Sequence, residues 1–441
     1  MGLLSCCIAV HAESQLQVLI NMLHKNGMIS DAQLVQLQAA LDQKKMQPRW
    51  EKQQTKVQMQ TSQTAPAKQP IVSIDNGLKI HTQDKAFSFK LGGRVQADAA
   101  TYYGHPVTGD GTEIRRARMY IQGRMYRDWG YKLQYDFANT GQHGKGIADA
   151  FVSYNGFKGI QLKLGHFKDP FSLQDQTSSK YILLTERALP ESFSAGRHIG
   201  VMFSKAYQDG TVAGGLFGDK LNKTNGTQHR QNEGWGAGVR ATFTPVNKKT
   251  QLVHLGLSLN YRDTGGSGAI SFKQQAETHI AGINIVDTGT LRHVKDVFKT
   301  DAEIALVKGS VSVQGEYITT MVNRNGMKDL NFNGWYTQIG YFLTGELHAY
   351  HQGHFGGVVP RHALGEGGIG AWELGVRYSR LNLTDGGVNG GRTSSMTWGV
   401  NWYPEPTLRF SANYVDVLGI NGGPYHGLSP SIFQIRSQWA F

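Results

Sequence analysis

The stretch Ser88–Gly104, SFKLGGRVQADAATYYG, places Lys90, Arg94, Gln96 and Asp98 at alternate positions, with Phe89, Leu91, Val95, Ala97 and Ala99 between them. A strand turns successive side chains to opposite faces, so one face here is apolar and the other charged and hydrated. A soluble sandwich accepts such a strand. So does a barrel that meets lipid outside and water inside. Other segments must decide between the two.

In EIRRARMYIQGRMY (113–126), Arg116, Arg118, Tyr120, Gln122 and Arg124 share one face, against Ala117, Met119, Ile121 and Met125. At roughly 3.3 Å per residue, Arg116 and Arg124 stand about 26 Å apart along the strand, close to the height of the apolar band of an outer-membrane barrel. The same parity opposes Lys163 to Leu162 and Leu164, and Arg240 to Val239 and Ala241. It sets Arg262, Arg377, Arg409 and Arg436 against Leu, Val, Tyr, Trp and Phe. Asp98, Asp136, Glu316 and Glu373 fall on the cationic face and are expected to hold these cations or moderate their field.

About sixteen such segments follow one another, starting near 87, 113, 129, 147, 159, 197, 210, 233, 250, 299, 311, 331, 370, 393, 406 and 430. Each is about as long as the roughly ten residues a tilted strand needs to cross a bilayer. Aromatics gather near segment ends (Tyr102, Tyr103, Tyr126, Trp129, Trp402, Tyr403) and are expected to form girdles facing lipid. Short turns such as 155–158 alternate with long connections at 169–196, 264–298 and 344–369, which suggests turns at one end and loops at the other. The pattern predicts an all-β fold, a transmembrane antiparallel β-barrel of about 16 strands over residues 75–441.

Composition agrees. Of 441 residues, 55 are Gly and only 12 Pro, and 39% are hydrophobic, with no apolar run long enough for a transmembrane helix. Residues 1–12 read as a signal peptide without a positive n-region, as if truncated at its start, ending at Val10-His11-Ala12. A lipoprotein signal around Cys6 is the lesser reading. Both cysteines, Cys6 and Cys7, would leave with that segment. Residues 13–46 read as a helical or coiled-coil segment, with Leu16, Leu19 and Leu23 on a first helix. Asn26-Gly27 is the stop, and Leu34, Leu37 and Leu41 lie on a second helix. Residues 47–74 are a polar linker.

The net charge is +12. The cations are spread singly, which argues against nucleic acid as partner. Set round a narrow wet lumen they are a selectivity device, because low-dielectric walls focus the field and concentrate anions. The residues assigned to such a pathway are Arg94, Arg116, Arg118, Arg124, Lys163, Lys168, Lys180, Arg187 and Arg197, with Arg115 added by the family resemblance given below. Parity turns Arg115 outward unless the strand is bulged there. The enzyme reading finds no Gly-x-Ser-x-Gly elbow. His348, His351 and His354 could converge on a metal only within a loop, and no cofactor is expected.

The chain resembles the phosphate-selective porin O/P family of Gram-negative outer membranes. The resemblance rests on FSFKLGGRVQAD (87–98), IRRARMYIQGRMYRDWGYKLQYDF (114–137), LGHFKDPFSLQDQTSSKYILLTER (164–187) and GVNWYPEPTLRFSANYV (399–415). It implies a sixteen-stranded homotrimer in the outer-membrane lipid, with a short periplasmic helical segment, passing small anions such as phosphate and chloride. It also implies that 169–196 forms the constriction, that Arg94, Arg115, Arg116 and Lys180 line it, and that the terminal QWAF serves as an assembly signal. Two departures remove positive charge from the family pattern: Asp175 stands where phosphate-specific members place a lysine, and Lys273 is the one Lys or Arg in 266–283. A non-specific porin, or a structural barrel without phosphate selectivity, is therefore the alternative.

Overall fold

The computed structural model describes residues 21–45, 69–74, 77–104, 109–138, 146–221 and 233–441, with side chains of the helical part from 21 to 40. The expected signal peptide, Leu16, Leu19, Met46 and linker residues 47–68 lie outside the described residues. The chain forms two compact units, Met1–Gln69 and Pro70–Phe441. In the first, Gly27 at φ 69° ends a helical stretch, and α1 spans Asp31–Lys45. Ser30 and Gln33 form a reciprocal cap, with Ser30 N–H donating to Gln33 Oε1 at 3.0 Å and Gln33 N–H to Ser30 Oγ at 3.4 Å. This satisfies backbone donors that a helix start leaves orphaned.

The second unit is a closed antiparallel barrel. Its strands begin with β1 (Ser88–Tyr103), β2 (Gly111–Met125), β3 (Trp129–Asp136), β4 (Gly146–Phe157), β5 (Ile160–Lys168), β6 (Arg197–Tyr207), β7 (Gly210–Phe217) and β8 (Gly236–Lys248). They continue with β9 (Gln251–Asp263), β10 (Val294–Lys308), β11 (Val311–Arg324), β12 (Leu330–Phe342), β13 (Ala371–Asp385), β14 (Val388–Glu405), β15 (Leu408–Asn421) and β16 (Ser431–Ala440). Each pairs with its sequence neighbour, and β16 closes on β1 from Ser431↔Tyr103 to Ala440↔Arg94. Closure removes every free edge, the condition for a sheet to stand in lipid. All sixteen expected segments hold a strand. The largest offsets fall at β10, which starts at Val294, and β14, which starts at Val388. Two short strands, Ile71–Ser73 and Leu78–His81, continue the sheet beside the start of β1.

Gly92 and Gly93, in the stretch that opened the reading, receive the chain end. Gly93 N–H donates to Phe441 O at 2.8 Å, and Phe441 N–H donates back to Gly93 O at 3.1 Å. A Cβ on Gly93 would lie 2.7 Å from the Phe441 ring, and one on Gly92 2.4 Å from the Tyr120 hydroxyl. The closing joint thus requires glycine for space.

Hairpins alternate ends, and the connections after even-numbered strands are mostly tight, such as 158–159, 208–209 and 309–310. Two connections depart from the expected division. Residues 386–387 turn tightly at the loop end, whereas 343–370, expected with the long loops, lies at the turn end. It enters the barrel as a small hairpin (Tyr350–His351 with His354–Phe355) and buries Phe355 against Leu173, Leu252, Ala305 and Val307. Residues 169–196 and 264–293 enter from the loop end. Phe171, Leu189, Phe193, Phe272, Ile285 and Val286 pack there on inward residues Val297, Ile318, Val322, Leu381 and Leu383. The inward face is therefore apolar where loops cover it. The girdle expectation needs a correction as well. Trp402, Trp129, Tyr103 and Tyr126 stay at the surface, but Tyr102 and Tyr403 are 6% and 8% exposed and turn inward. There the Tyr102 hydroxyl accepts from Ala281 N–H and the Tyr403 hydroxyl donates to Glu373.

Candidate functional site: a lumen open along one wall

The infolded segments fill the side of the barrel under β9 to β16 and leave space along β1 to β5. A cavity of about 900 Å³ lies there between the wall and residues 175–197. A second, of about 450 Å³, opens towards the turn end and shares Gln122, Lys132 and Phe151 with the first.

Eight of the ten assigned cations line the larger cavity: Arg94, Arg116, Arg118, Lys163, Lys168, Lys180, Arg187 and Arg197. Arg124 lines the smaller one. Arg115 lines neither, yet it faces inward and is 3% exposed. A register shift explains this: Gln96 pairs with Arg116, but Ala97 pairs with Ile114, so Arg115 is the extra residue of a bulge. A bulge re-aims a side chain against strand parity. Arg115 then forms a fork with Glu186 at 2.9 and 3.2 Å. Arg436 reaches the same carboxylate at 2.6 Å, and Arg116 stands 3.6 Å from it. Burial raises the Glu186 pKa, but these three guanidiniums outweigh it and hold the carboxyl well below its ordinary range.

Partners divide the cations into two groups. Arg118 pairs with Asp136 at 2.5 Å, Lys168 with Asp175 at 2.9 Å, and Arg197 with Asp149 at 2.8 Å. Arg187 contacts Glu191 at 3.4 Å and donates to the carbonyls of Gln174 and Thr177. Arg94, Lys163, Lys180 and Arg124 have no carboxylate within salt-bridge distance among the described residues. Arg94 donates to Ser178 Oγ at 3.2 Å, while its Nε is buried without a partner. Lys163 lies over the rings of Phe151 and Phe167, 4.8 and 5.2 Å from their centroids.

The constellation that the pathway assignment did not include centres on Tyr120. The ammonium groups of Lys90, Lys132 and Lys180 lie 5.8, 5.7 and 5.9 Å from its ring centroid. Lys180 also stands 5.1 Å from the Tyr181 ring. The negative ring face accommodates cations while leaving their other N–H groups free. Lys90 and Tyr120 were legible as lumen parity. Lys132 was not singled out, and it is held by Asp149 at 2.8 Å.

The remaining expected residues are structural. Arg240 forks onto Glu303 at 2.8 and 2.6 Å, and Arg409 donates to the carbonyls of Ile182 and Leu183. Arg377, 1% exposed, pairs with Glu277 at 2.5 Å. Glu277 also accepts from Thr397 Oγ1 at 2.7 Å and from Leu189 N–H at 3.3 Å, and so ties both infolded loops to the wall. Among the described residues Glu316 holds no cation: it accepts from Ser172 Oγ and Gln174 N–H and anchors the loop. His348 sits 3.1 Å from Glu373, and His354 lines the larger cavity.

Residues 89–441 match the profile described as phosphate-selective porin O and P. Porin O of Pseudomonas aeruginosa is 28% identical over 416 residues, covering 84% of this chain and 92% of that protein. An uncharacterized protein of Caulobacter vibrioides is 31% identical over 343 residues, covering 74% of this chain and 68% of that one. Among solved structures, the anion-selective porin from Comamonas acidovorans aligns with a TM-score of 0.51 and 15% identity, over 80% of this chain and all of its own. That likeness supports the fold.

Proposed function

The chain belongs to the phosphate-selective porin O and P family and is an anion porin of the Gram-negative outer membrane; from that premise we propose that its solutes are phosphate and other small hydrophilic anions, which pass along the β1–β5 wall. The observation that carries this is the convergence of Lys90, Lys132 and Lys180 on Tyr120, beside Arg94. An anion entering from the loop end meets Arg197, then Lys180 and Arg94, then Lys90 and Arg124 towards the turn end. Several spaced cations concentrate anions without holding any one tightly, which conduction requires. Paired residues such as Arg118 and Lys168 shape this field and contribute less charge to it.

A less specific anion porin is the second reading, and Asp175 favours it. Burial opposes its charge, yet Lys168 and Arg187 hold the carboxyl ionised below its ordinary range, so it cancels a cation beside the path. On the same reading the chain is a homotrimer, residues 1–12 are a removed signal peptide and 13–46 a periplasmic segment. The test is the reversal potential of single channels in a planar bilayer under a KCl gradient, with and without phosphate. Chloride-selective current blocked by phosphate is the expected result. Chloride selectivity without block would establish the second reading, and cation selectivity would overturn both.

A further inference from the structure

The outer wall carries a cationic pair that the pore does not use. Outward positions of β13 run through Leu374, Val376 and Tyr378 and then reach Arg380, which is exposed. On β14 the same face carries exposed Arg392. The register sets Arg380 opposite Ser394 and Arg392 opposite Asn382, which makes the two arginines diagonal neighbours with Cα atoms roughly 7–8 Å apart. Neither has a carboxylate within salt-bridge distance among the described residues. Arg392 Nε donates to Asn382 Oδ1 at 3.0 Å, which orients the guanidinium and leaves its terminal N–H groups available. On the other side, Trp335 stands opposite Arg380 and packs on Tyr378 with centroids 5.2 Å apart.

Depth gives the pair its meaning. Arg380 lies eight residues along β13 from Trp372, which stacks on Trp402 at the turn end. With strands tilted about 40°, that spacing is a height of roughly 20 Å, near the far boundary of an apolar band about 25 Å tall. A cation on the lipid face is costly at mid-depth and tolerated at the headgroup level. Two unpaired cations side by side repel each other unless an anion lies between them.

We propose that Arg380 and Arg392 bind the phosphorylated headgroup of an outer-leaflet glycolipid. Their guanidinium forks take phosphate oxygens, and the Trp335–Tyr378 pair packs against the acyl chains below. This rests on the outer-membrane location and not on the lumen assignment, because both side chains point away from the pore.

The test titrates the full chain, purified in detergent, with lipopolysaccharide and with its dephosphorylated form, and counts bound lipid by native mass spectrometry. The wild type is expected to bind the phosphorylated lipid about tenfold more tightly. Arg380→Gln with Arg392→Gln should abolish that difference, and the double lysine variant should keep part of it. The glutamine variant should retain wild-type conductance and ion preference, which shows that it is folded and separates this proposal from the pore reading. Equal binding of both lipids by the wild type, or undiminished binding by the glutamine variant, overturns the proposal.

Discussion

Along β1 to β5 most inward cations border open space, whereas along β8 to β16 they face protein. Lys90, Arg94 and Lys180 border the cavities without carboxylate partners among the described residues, and their neighbours are rings and hydroxyls. Arg240, Arg377, Arg409 and Arg436 have the same strand parity, but each is buried against a carboxylate or loop carbonyls. Inward cations thus border open space on one side of the barrel and anchor loops on the other. What differs is the cover. An arginine under a loop must be paired, since an unpaired buried charge is costly, while one beside water can stay unpaired and act on passing ions.

The strongest way to break this contrast is to unfasten the filled side. Glu277→Gln leaves Arg377 buried beside a neutral partner, and removal of one partner from such a pair costs about 3–5 kcal/mol. The unfolding midpoint in denaturant should fall, and single-channel conductance should rise as the loops loosen. An unchanged midpoint and conductance would mean that the loops are held elsewhere. Next in size, Lys180→Gln should lower the chloride-to-potassium permeability ratio severalfold. Arg116→Gln should change it less, because Gln96 and Glu186 already engage that guanidinium. The reverse order would remove the distinction between paired and unpaired cations.

Titration should sharpen the contrast further. Burial, followed by the nearby charges of Arg94, Lys90 and Lys132, pushes the Lys180 ammonium down to about 8. A depressed lysine pKa means that the proton leaves as pH rises through that value. Anion preference measured by reversal potential should therefore decline between about pH 7 and pH 9 in the wild type. Lys180→Gln, with no proton to lose, should show a flatter profile. The smallest expected effect is that of Asp175→Asn, which frees Lys168 and should raise anion preference slightly in the same assay. A decrease would show that Asp175 positions the cations more than it cancels them.

Much of the site was legible because strand parity is rigid. Arg94, Arg116, Arg118 and Lys163 face the lumen as alternation requires, and the Arg115 exception required the very bulge that the register shows. The 343–370 segment was misplaced because its length looks the same at either end, and hairpin alternation is settled only when every strand is counted. Tyr102 and Tyr403 misled because an aromatic near a strand end reads as a girdle residue. Here each finds an inward hydrogen-bond partner on another segment.

By itself the sequence determined the sixteen-fold alternation, its closure into a wall between lipid and water, and the abundance of inward cations. These follow from local periodicity, which a strand imposes on its own side chains. The tertiary structure alone decided which cations are spent on Glu186, Glu277 and Glu303 and which remain available around Tyr120. Those partners lie tens to hundreds of residues apart, and a charge acts on an ion only through what the fold leaves uncovered.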